Sequence, residues 1–267
     1  MMKNEGIKFA LLAFLVLSMV VSTSAGLSVS GAAYIGEVSP GDLIVHEMTV
    51  SIAEDASPQE MTAELYGFAM NERASNVELS PEEDTGPYSA RPFLSVEPKS
   101  FTVEPGVPQK VLLTGTVPDD VGAGGRYALV TIKTVPDGEG DVSVSSAIQV
   151  LILLTIKDSK LIKTGEISDL ATSMSGDEVS VDLLFENTGN VLYKPLVGAI
   201  LKGEDGETVA EVEATQIPTS ILPTGSRLVS MTLVPDALLE PGTYTVEAEV
   251  TLDDGTVLDT AETTIEV

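Results

Sequence analysis

The chain has 267 residues, no Cys, no Trp and one His, and carries a net charge of −27. Such a balance argues against nucleic acid as a partner, because phosphate binding needs clustered Lys and Arg, and against an anionic membrane surface. Disorder is excluded as well, because 43% of residues are hydrophobic and they recur periodically.

The first segment, "MMKNEGIKFALLAFLVLSMVVSTSAG", reads as a secretory signal over residues 1–25. Lys3 and Lys8 precede an apolar run from Phe9 to Val21, and small residues end at Ala25. Those 13 residues span about 20 Å as a helix. That is short of the ~30 Å hydrocarbon core. The alternative is an uncleaved N-terminal membrane anchor that recruits Ser22 to Ala25. Cleavage removes Lys3, Lys8 and Glu5 and takes the net charge from −27 to −28. The protein is expected at the cell surface or outside the cell, soluble through its acidity, with cores that need no disulfide staples.

Beyond Ala25 the dominant period is two. In "IVHEMTVSI", Ile44, His46, Met48, Val50 and Ile52 share one face. Residues 71–93, "NERASNVELSPEEDTGPYSARPF", form the longest irregular stretch, which suits either a binding loop or an insertion. In "IQVLILLT" and its flanks, Ile148, Val150, Ile152, Leu154 and Ile156 lie on one face and Leu151 and Leu153 on the other. The run is too short to cross a membrane as a helix. It reads as the last strand of a first unit, with a second apolar face to be covered by a neighbouring domain or a partner. After the polar hinge 157–166, "EVSVDLLFE" places Val179, Val181, Leu183 and Phe185 inward. "YTVEAEVTL" does the same with Tyr244, Val246, Ala248, Val250 and Leu252. Asp-Gly turns punctuate the strands at 136–141, 203–207 and 253–256.

This pattern predicts an all-β protein of two tandem immunoglobulin-like sandwiches, residues 26–157 and 158–267, of about seven strands each. The halves echo each other in "VPDDVGAGGRYALVTI" (117–132) and "VPDALLEPGTYTVEAEV" (234–250). Tyr244, and Tyr127 as its counterpart, are read as tyrosine corners, with the ring in the core and the hydroxyl bonded back to the preceding bend. Ligand stacking is the alternative role for these rings.

The run 98–132 resembles the N-terminal sandwich of periplasmic pilus chaperones and of WxL-interacting surface proteins. The matching positions are Pro98, Phe101, Val103, Pro105, Gly106, Gln109, Val111, Pro118, Gly125 and Tyr127. The second half resembles the immunoglobulin-like modules of adhesion proteins. The resemblance implies a non-enzymatic envelope protein that binds other surface proteins, in adhesion or in surface-structure assembly. It also implies that the last strand of the first sandwich lends alternating side chains to a partner. Candidate partner-binding residues are therefore Ile148, Val150, Leu151, Ile152, Leu153 and Leu154. The chain departs from the pilus chaperones in lacking a matched basic pair for a subunit's carboxylate: Arg73, Arg91, Lys99, Lys110, Arg126 and Lys133 are scattered. It also lacks the terminal membrane helix and basic tail usual in the WxL-interacting proteins.

Chemical sites are few. His46 alone, with no Cys, excludes the usual zinc sites and reads as a rim histidine with a structural hydrogen bond. Asp137, Glu139 and Asp141 are candidate calcium ligands, weighed against solvated hairpin tips. No cofactor, small-molecule substrate or catalytic residue is singled out. The alternatives to protein binding are a calcium- or polysaccharide-binding module and a carboxylate-based hydrolase.

Overall fold

A computed structural model describes residues 21–22, 26–136 and 146–267. Apart from one 3-10 turn at Arg91–Phe93, every regular element among the described residues is a strand. No described helix is long and apolar enough to cross a membrane.

The first half packs two sheets face to face. One runs β1 (Val21–Ser22), β2 (Ser28–Ser30), β4 (Leu43–Ser51), β9 (Gln109–Thr116) and β7 (Leu94–Glu97). The other runs β3 (Ala33–Val38), β11 (Ala147–Ile156), β10 (Gly125–Thr134), β5 (Gln59–Met70) and β6 (Asn76–Leu79), with β8 (Ser100–Val103) also on β5. Between them lies one core, including Met48, Met61, Leu113, Val130, Ile152 and Leu154. The alternating patterns of β4 and β11 produce it directly: every second residue is buried in each.

The second half has a three-stranded sheet, β12 (Gly165–Ser175), β13 (Glu178–Asn187) and β16 (Ser226–Leu233). Its companion sheet has the order β15 (Thr208–Gln216), β14 (Leu196–Lys202), β17 (Thr243–Thr251) and β18 (Val257–Glu266). Val179, Val181, Leu183 and Phe185 meet Val246, Ala248 and Val250 in a separate core. The all-β, immunoglobulin-type architecture matches the expected fold class.

Three placements add to the sequence expectation. First, β11 has a neighbour on each side over most of its length. It pairs antiparallel with β10 from Ala147 to Thr155 and parallel with β3 from Leu151 to Ile156. Second, residues 71–93 are not simply irregular. Asn76–Leu79 form β6, which pairs with the end of β5. Third, the hairpin β5–β6 crosses the outer face of its own sheet. Glu78 accepts from Thr131 Oγ1 and from Gln149 Nε2 (2.9 Å), and Asn76 Nδ2 donates to Gln149 Oε1 at 3.1 Å. The chain's own hairpin thus lies on the second face of β10 and β11.

Candidate partner-binding site

Strand β2 leaves its sheet at Gly31, and the chain crosses to the opposite sheet as β3. Gly31 makes this crossing with φ +73°, and a Cβ there would meet Glu47 O at 2.5 Å. Only glycine accepts both demands cheaply. Because of the crossing, β4 pairs with β2 only through Thr49, Val50 and Ser51. No described strand pairs with that edge of β4 over residues 43–48. The outer edge of β3 likewise has no described neighbour. One side of the first sandwich therefore presents two sheet edges.

His46 fastens this crossing. It is 5% exposed, and its Nε2 lies 2.8 Å from Gly31 O. Its ring stacks on Tyr34 at 5.0 Å between centroids. The rim histidine with a structural bond is the role its geometry serves, in place of a ladder bond that β2 no longer makes. Burial, and then the Asp42 carboxylate, push the Tyr34 hydroxyl above its ordinary pKa. Between the two edges runs an open groove of about 730 Å³, lined by Tyr34, Glu37, Asp42, Leu43, Val45 and His46 among others. Large apolar side chains stand in water here: Leu43 is 79% exposed, Val45 65% and Ile35 58%.

The residues expected to bind a partner separate into two groups. Ile148, Val150, Ile152 and Leu154 are core residues, between 0% and 3% exposed. Their side chains point into the core between the two sheets. Leu151 and Leu153 are half-buried on the outer face, and Leu153 stands directly beside Ile35 of β3. The exposed residues Ile35, Leu43 and Val45 were missed. The alternation at Leu43 and Val45 signals an outward apolar pair, but its exposure depends on where β2 leaves the sheet. Asp137, Glu139 and Asp141 lie outside the described residues. Among the described residues no cluster of three or more His, Asp or Glu could hold a metal.

The two tyrosines diverge. Tyr244 Oη donates to Glu240 O at 3.1 Å, four residues back. Tyr127 does not return to its own bend. Its hydroxyl accepts from Leu192 N–H at 2.8 Å, in the second half. A Cβ at Gly125 would collide with that hydroxyl, so the glycine makes room for it. Burial pushes the Tyr127 pKa up to about 12. Around it Gly125 N–H donates to Asn190 O, and Asn190 in turn bonds Ile162 N–H and Lys160 O. The "ENTGN" turn thereby ties both halves to the hinge. The buried arginines serve local backbone. Arg126 donates to Gly125 O and Ala123 O, and Arg227 to Thr219 Oγ1 and Ser220 O.

No family model matches the chain, and no curated protein does. Among solved structures, the class 5 fimbriae chaperone CfaA aligns over 90% of this chain and 99% of its own, at 14% identity and TM-score 0.43. The E. coli chaperone DraB aligns over 90% and 98%, at 12% identity and TM-score 0.38. A glycosyl hydrolase family 2 member from Bacteroides cellulosilyticus aligns over 87% of this chain but 29% of its own, at 14% identity and TM-score 0.32.

Proposed function

We propose that this is an exported, non-enzymatic protein that binds other envelope proteins and takes part in assembling a surface structure. Its two sandwich domains, 26–157 and 158–267, meet at the Tyr127–Asn190 junction. The partner contributes an extended strand to the open side of the first sandwich. The observation that carries this reading is the pair of sheet edges at β3 and β4, flanked by exposed Ile35, Leu43 and Val45. Unpaired edges with outward apolar side chains are the surface that strand addition uses: main-chain bonds hold the strand, and alternate side chains set its register. An edge left this way without a partner is a self-association hazard. Export follows from the signal-like segment before Ala25.

The test places a photo-crosslinking amino acid at Ile35 in the exporting cell, with the same group at Thr232 as a control. A discrete adduct with one envelope protein from Ile35, absent from Thr232, is expected. In the purified complex the β3 and β4 edge amides should gain hydrogen-exchange protection. With the crosslinker kept at Ile35, Leu43→Asp, at a residue 79% exposed, should remove the adduct and leave the melting temperature nearly unchanged. An adduct without protection of either edge sinks strand addition.

A further inference from the structure

The open side carries a second pattern, in charge. Its groove is lined by three carboxylates, Glu37, Asp42 and Glu47. Among the described residues only Glu47 has a cation beside it, Lys110 Nζ at 2.9 Å. Asp42 accepts the Ser39 N–H. Glu37 and Asp42 have no ion pair among the described residues, and no lysine or arginine lines the groove. Tyr34 and His46 supply aromatic surface between them.

Along β4 the side chains alternate. Leu43, Val45 and Glu47 face out, and Ile44, His46 and Met48 face in. A strand added to this edge continues the alternation, because its side chains also point to opposite faces in turn. Its outward residues lie beside Leu43 and Val45. Its alternate residues face the groove.

We infer, resting on the strand-addition reading, that the strand received here alternates apolar residues with lysine or arginine, and that a basic side chain enters the groove between Glu37 and Asp42. The apolar residues cover Leu43 and Val45, and the cation meets the two carboxylates beside the Tyr34 ring. A second copy of this chain does not fit. It would bring Glu37, Asp42 and Glu47 of two molecules together in a protein of net charge −27, and like charges across a strand pair repel.

The experiment uses the full mature chain and four short capped peptides: alternating Lys-Val, Ser-Val and Glu-Val, and a Lys-Val peptide N-methylated along one edge. Affinity is read by fluorescence anisotropy at about 0.15 M salt, where distant charges are screened, and location by amide chemical shifts over residues 33–47. Lys-Val should bind at these residues about tenfold more tightly than Ser-Val, with Glu-Val weaker still. N-methylation should abolish binding, because it removes edge donors without changing charge. Glu37→Gln should weaken Lys-Val binding several-fold and leave Ser-Val unaffected. Equal binding of Lys-Val and Ser-Val at the open side overturns the basic strand and leaves strand addition standing. Equal binding of the methylated and unmethylated Lys-Val peptides overturns it as well, as diffuse attraction. Binding of none of the peptides at residues 33–47 removes both readings.

Discussion

Strands β10 and β13 are both flanked by two neighbours in their sheets, yet they solve burial differently. In β13 the inward set Val179, Val181, Leu183 and Phe185 is buried, while Ser180, Asp182, Leu184 and Glu186 keep contact with water. In β10 every residue from Gly125 to Ile132 is buried. Its inward set is Ala128, Val130 and Ile132, and its outward set is Tyr127, Leu129 and Thr131. In the outward set, Thr131 bonds Glu78 of the β5–β6 hairpin and Tyr127 bonds Leu192 of the second half. A sandwich strand gains a second dry face only when something other than the facing sheet covers it. The first half uses its β5–β6 hairpin for that cover and leaves its opposite side, at β3 and β4, with two edges unclosed.

The largest expected effect tests the covered face. Leu129 is 0% exposed on the outer face of β10. Leu129→Ala should cost about 2–4 kcal/mol, as for a leucine deleted from a packed core. Leu184→Ala, at the comparable position of β13, should cost about 1 kcal/mol or less. Urea unfolding followed by circular dichroism measures both. Equal small losses would mean that the hairpin does not shield β10.

Tyr127 sharpens the same comparison, because it joins the halves. Tyr127→Phe should cost about 1 kcal/mol through the lost bond to Leu192 N–H. It should also change the alkaline limb. The folded pKa of Tyr127 is raised from 10.0 to about 12. Its contribution is therefore complete below pH 10 and is lost as pH rises from there through about 12. Tyr193, raised by burial too, drives part of the same loss. Thermal melts between pH 9 and 12 should show a shallower decline in Tyr127→Phe than in the unsubstituted protein. Parallel declines would remove Tyr127 as a buried neutral hydroxyl.

The smallest effect lies at the polar end of the covered face. The Glu64 carboxylate is held below its ordinary pKa by the Tyr66 hydroxyl and by Lys133 at 3.1 Å. Its contribution is present above the usual carboxylate range and is lost as pH falls through the lowered folded value. Both Glu64 and Lys133 side chains stand well into solvent, so screening keeps the difference to about 0.5 kcal/mol or less. Glu64→Gln should flatten stability against pH only in acid. A loss well above that at neutral pH would place Glu64 under the hairpin instead of beside it.

The sequence by itself determined which face of each strand is dry. The inward sets at Ile44–Ile52, Ile148–Ile156, Val179–Phe185 and Tyr244–Leu252 all contribute to the two cores, because alternation is fixed by the pleat within one strand. It placed His46 at the rim for the same reason. Only the tertiary structure decided which strand has which neighbour. Whether β11 borders the sheet depends on β3, which reaches it from the far end of the first half after the crossing at Gly31. The bonds to Thr131 and Gln149 on the outer face come from β6, whose four residues carry too short a pattern to stand out between Asn71 and Phe93. Tyr127 and Tyr244 follow similar bends, yet one hydroxyl turns back to Glu240 and the other reaches Leu192. Leu192 lies 65 residues from Tyr127 in the chain, and periodicity, which is a local property, contains no record of it.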